Sequence, residues 1–138
     1  MGQGARRWSH QGVFAADPGS AAQARAFVVE HLVEHRLLYL VDDVRVVAGE
    51  LATNAVVAHA QTAFTVILEE RESSVLLTVR DGPPVPPASS VPASDGTNIV
   101  GRGLVILNLM SHTWGVADYD GATNSVWAAF EKRSRAVS

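Results

Sequence analysis

The chain has 138 residues, 47% hydrophobic and 18% charged, the size and balance of a single folded globular domain. A formal net charge of −3 speaks against the basic face that holds a phosphate backbone, so direct nucleic-acid binding is not expected. Having no cysteine excludes disulfides, zinc–thiolate sites and thiol nucleophiles; no apolar run approaches the ~20 residues of a membrane helix, and the opening MGQGARRWSH lacks the apolar stretch of a signal peptide, so a cytoplasmic protein with no membrane partner is expected.

Residues 7–14 (RWSHQGVF) read as an edge strand, followed by turn material at 15–19. Ser20, with Gln23 three residues on, matches a capping box, and Ala24, Phe27, Val28 and Leu32 then recur at helical spacing to about residue 35. Residues 37–41 form a short apolar link. Asp42 and Asp43 offer a second helix start at the end of the dipole that favours negative charge. From 44 to about 58, Val44, Val47, Ala48, Leu51, Ala55 and Ala58 make one stripe, the mark of a helix facing the core.

Segments 64–70 (FTVILEE) and 75–80 (VLLTVR) are β-rich and predict an antiparallel hairpin. Between Asp81 and Asn98 the composition changes to five prolines, two glycines and several serines, the character of a functional loop. A short helix is predicted over 104–110, opened by Gly101-Arg102-Gly103, and a second hairpin over 113–119 and 125–131. There is no internal repeat and no second domain. The expected fold is a single α/β two-layer sandwich with a mostly antiparallel sheet, ordered over about 7–133.

Three places carry candidate chemistry. Glu50 and Asn54 lie four apart on the second helix, at the flank of its apolar stripe, where a carboxylate can act as a base and an amide oxygen can meet a hard cation. Asp81 ends a strand and precedes Gly82, a carboxylate placed to accept from an exocyclic amine beside backbone that a flat ring can approach. Gly101-Arg102-Gly103-Leu104 sits at a helix mouth, where exposed N–H groups and the dipole favour an anion. Taken singly, these read as a surface pair, a turn and an ordinary glycine-rich helix start; neither a dinucleotide fingerprint nor a Walker loop is present. Of the five histidines, His31 and His35 have helical spacing, but with no third ligand nearby a metal site is not expected.

The order of the three places changes the reading. Glu50-Leu51-Ala52-Thr53-Asn54-Ala55-Val56 resembles the N-box of the gyrase, histidine-kinase and MutL ATPase superfamily. Val79-Arg80-Asp81-Gly82 resembles its first glycine box, Gly101-Arg102-Gly103-Leu104 its second, and Ala122-Thr123-Asn124-Ser125-Val126-Trp127 its final strand. The chain thus resembles a Bergerat-fold ATP-binding domain with its helices on one face of the sheet. The E-L-x-T-N-A form of the N-box and the small size are similar to the anti-sigma-factor serine kinases.

That resemblance implies ATP and Mg²⁺ as cofactors. Glu50 would be the catalytic base, Asn54 would hold the metal, and Asp81 with Gly82 would meet adenine. Gly101, Arg102, Gly103 and Leu104 would cradle phosphates, Ser125 would lie near the adenine, and residues 83–100 would form the ATP lid. It implies a kinase that transfers the γ-phosphate to a serine of an antagonist protein, with a sigma factor as the other partner, and it allows a homodimer. A nucleotide-gated binding module without phosphoryl transfer and a detached histidine-kinase catalytic domain remain open alternatives.

Overall fold

The computed structural model describes residues 7–58, 63–81, 93–94, 101–119 and 123–133. Strand β1 (Ser9–Ala15) leads into helix α1 (Ser20–Glu34), and a 3₁₀ turn at Leu38–Leu40 runs directly into helix α2 (Val41–Ala58). The hairpin β2 (Ala63–Glu70) and β3 (Ser74–Asp81) follows, then a two-residue strand β4 (Ala93–Ser94), helix α3 (Gly101–Met110), and the hairpin β5 (Thr113–Tyr119) and β6 (Thr123–Glu131). The strands form one sheet in the order β1-β2-β3-β6-β5-β4, and every pairing is antiparallel. No described helix is long and apolar enough to cross a membrane.

Alternation along the strands decides which face is covered. Leu68, Leu77 and Ala128 are register partners in β2, β3 and β6, and all three are fully buried. Val66 and Val79, and Val75 and Phe130, make further buried rows on the same face. The helices lie there: α1 against β1 and β2, α2 against β2, β3 and β6, and α3 against β5. Ala24, Val28 and Leu32 from α1, and Val44, Val47, Ala48, Leu51, Ala52 and Ala55 from α2, complete one apolar layer between helices and sheet. The result is the expected two-layer sandwich.

The local starts of the helices differ from expectation. The capping box at Ser20 does not form: Gly19 is the N-cap residue, without a side-chain capping bond. Ser20 is instead fully buried, and its hydroxyl donates to the Ala15 carbonyl and bonds Asp17 Oδ1 at 3.2 Å. Asp17 does the turn work, accepting the Gly19 N–H at 2.9 Å. Helix α2 begins at Val41, which puts Asp42 and Asp43 inside its first turn. Their charges still meet the positive end of the dipole. The apolar link before α2 is the 3₁₀ turn, and the proline-rich segment contributes β4, whose Ala93 and Ser94 pair with Ala117 and Val116.

Candidate functional site

The polar flank of α2 follows from its stripe. With Val47, Ala48, Leu51, Ala52 and Ala55 committed to the core, the residues at the stripe's edge, Glu50 and Asn54, are half-buried. Thr53, between them and exposed, spends its hydroxyl on the Gly49 carbonyl at 2.8 Å. Asn54 is different. Its Nδ2 is completely buried and has no hydrogen-bond partner among the described residues. A buried donor left unsatisfied costs about 1–3 kcal/mol, which a folded protein tolerates where something else supplies the acceptor. A phosphate oxygen is such an acceptor, and the other end of the same amide is a neutral oxygen suited to a hard cation.

The second part is the edge of the sheet where β3 ends. Asp81 is the last residue of β3 and pairs with Phe64. The preceding Arg80 is 8% exposed, with Thr65 and Ser125 as its register partners. Ser125 is itself buried, its hydroxyl without a partner among the described residues. It alternates with Val126 and Ala128, which pack with the helices, so the Ser125 side chain lies on the sheet face turned away from α2. The β3–β6 register ends at Arg80 and Ser125, so Ser125, expected near the adenine, lies beside the residue that precedes Asp81.

The third part is the start of α3. The helix runs from Gly101, so Gly101, Arg102, Gly103 and Leu104 form its first turn, whose leading N–H groups have no partner within the helix. Helix α3 packs against α2, which itself packs against β3. The end of β3 and the glycine-rich helix start therefore belong to elements that both pack against α2, although the chain separates these places by up to about 50 residues. Gly82 and the expected lid, apart from Ala93 and Ser94, lie outside the described residues, as does His59.

This arrangement offers a half-buried carboxylate, an amide whose buried donor is unused among the described residues one turn away, and a glycine-rich helix start. Together these suit a polyanionic ligand bound between helices and sheet. Comparison with protein families agrees: a model of the histidine kinase-like ATPase domain matches residues 14–130, from the end of β1 through most of β6. A search of curated proteins finds no match.

Proposed function

The chain belongs to the histidine kinase-like ATPase domain family, and from that premise we propose that this ATP-binding domain is a protein serine kinase acting as an anti-sigma factor, passing the γ-phosphate of ATP to a serine of an antagonist protein. The observation that carries the reading is the pair on α2. Asn54 keeps a buried amide donor with no partner among the described residues, one helical turn from the half-buried carboxylate of Glu50. A domain that only held nucleotide would need the amide; a carboxylate one turn away adds a proton acceptor.

The fit to a metal–nucleotide is chemical. Mg²⁺ takes few protein ligands and shares phosphate oxygens, a demand that one Asn oxygen meets, and when bound it would neutralise charge on those oxygens. The rest falls to the chain's own groups. Asn54 fixes the phosphate end of the ligand, and the positive end of the α3 dipole meets its negative charge. Glu50 accepts the proton of the attacking serine hydroxyl as the serine oxygen bonds to the γ-phosphorus. The bond to the β-bridging oxygen breaks, and ADP leaves with that electron pair. Catalysis of this kind is chiefly positioning and charge neutralisation, with the base adding about 10² to 10⁴.

The test is phosphoryl transfer from labelled ATP to small serine-bearing regulatory proteins encoded beside this one. Glu50→Gln keeps shape and hydrogen bonding but cannot accept a proton. It is expected to leave nucleotide affinity nearly unchanged and to lower transfer by about 10² to 10⁴. If the wild-type protein binds Mg-ATP and a sigma factor yet transfers no phosphate to any such protein, the kinase reading fails and a nucleotide-gated binding module takes its place.

A further inference from the structure

Away from the α2 flank, the fold assembles a second group of polar side chains. His31 lies in the last turn of α1 and His35 is the C-cap residue, so the two share a helix face. Strand β1 supplies what the local sequence lacks. His10 stacks on His31 with ring centroids 3.7 Å apart and an angle of 11° between planes, and its Nε2 lies 2.8 Å from Nε2 of His35. On the other side of His31, Nδ1 meets Glu34 Oε1 at 2.9 Å. One ligand atom from each of His10, His31 and Glu34 lies within 4.8 Å of the other two.

We propose that His10, His31 and Glu34 form a binding site for a divalent transition-metal ion, with Zn²⁺ the best match, which clips the edge strand β1 to the end of α1. Two imidazole nitrogens and one carboxylate oxygen are a donor set that suits zinc and its neighbours. Mg²⁺ and Ca²⁺ prefer sets made of oxygen, which separates this site from any cation held with ATP.

A further feature supports the assignment. The rings are oriented from outside the ligand set: His35 holds His10 through the Nε2–Nε2 hydrogen bond and is itself stacked on Trp8, with centroids 4.1 Å apart and planes 5° from parallel. Metal-binding histidines are ordinarily steadied in this way by a second layer of partners.

Binding requires a small rearrangement. Around a tetrahedral ion with bonds of about 2.0–2.1 Å, ligand atoms stand about 3.3 Å apart. The stacked rings of His10 and His31 must therefore tilt from their parallel arrangement until their lone pairs converge. His10 and His31 are half-buried and Glu34 is exposed, so side-chain rotation suffices and water reaches the remaining coordination position.

The experiment is calorimetric titration of the full chain, without a polyhistidine tag, with zinc chloride. One saturable ion per chain is expected. His10→Ala and Glu34→Ala are each expected to weaken binding by at least about tenfold, while His112→Ala, an exposed histidine outside the cluster, leaves it unchanged. Glu34 is exposed, so Glu34→Ala tests the assignment even if His10→Ala fails to fold. Titration with Co²⁺ adds a second reading, because a visible absorption band of tetrahedral intensity appears in the wild type and is lost in Glu34→Ala. Absence of saturable binding, wild-type affinity in Glu34→Ala, or equal loss in His112→Ala overturns the proposal.

Discussion

Replacing Asn54 with leucine separates the need of the fold from the need of the ligand, because the two pull in opposite directions. In the free protein the buried Nδ2 has no partner among the described residues. Removing an unsatisfied buried donor in favour of an apolar group of similar shape recovers up to about 1–3 kcal/mol. For 138 residues, an unfolding entropy of about 2.1 cal/mol/K per residue makes each kcal/mol worth about 3.5 °C in melting temperature. The free variant is therefore expected to melt about 3–10 °C above the wild type. Nucleotide reverses the comparison. At an Mg-ATP concentration about 100 times the wild-type dissociation constant, binding stabilises the wild type by about 2.7 kcal/mol, or about 9 °C. A tenfold loss of affinity in Asn54→Leu cuts that shift to about 5 °C or less. Thermal melts of both proteins with and without Mg-ATP measure all four values. A free variant that melts several degrees lower means that the amide is satisfied in the native protein. An undiminished ATP shift means that Asn54 is not part of the nucleotide site. Either result refutes the reasoning.

What the chain reveals in one dimension is what depends on near neighbours. The stripe of Val44, Val47, Ala48, Leu51 and Ala55 gave α2 and, by subtraction, the half-buried flank carrying Glu50 and Asn54, because helical periodicity links residues three and four apart. Both hairpins were legible for the same reason. The order of strands was not: β6 inserts between β3 and β5, a choice made by burial across the whole layer and written in no local segment. The neighbourhood of Arg80 and Ser125 depends on that insertion, since the two are register partners on β3 and β6. The capping box at Ser20 fitted the pattern, yet the hydroxyl found the Ala15 carbonyl behind it once the chain turned at Asp17. The cluster around His31 was hidden because His10 reaches it from β1, across 21 residues of chain.

Two substitutions probe the frame around the site. A Cβ on Gly115 would stand 2.7 Å from Cζ2 of Trp127, its register partner on β6. Gly115→Ala must therefore displace the indole or the strand, and a loss of about 1–3 kcal/mol is expected in denaturant unfolding; an unchanged midpoint would show that the ring moves freely. Arg36→Gly is expected to do the reverse. Helix α1 closes in a Schellman motif, with the Leu37 N–H on the Leu32 carbonyl at 2.8 Å and the Arg36 N–H on the Val33 carbonyl at 3.0 Å. The motif requires a left-handed residue after the cap, and Arg36 fills it at φ 63°, the only described non-glycine residue with positive φ. That conformation costs an ordinary residue about 1–2 kcal/mol, and glycine avoids it while losing about 0.5–1 kcal/mol more chain entropy. Because the Arg36 side chain is exposed, little packing is forfeited, and the difference should appear as a gain of about 0.5–1 kcal/mol, or about 2–3 °C in melting temperature. A variant that melts below the wild type would mean that the arginine side chain contributes more to the end of α1 than its strained backbone takes away.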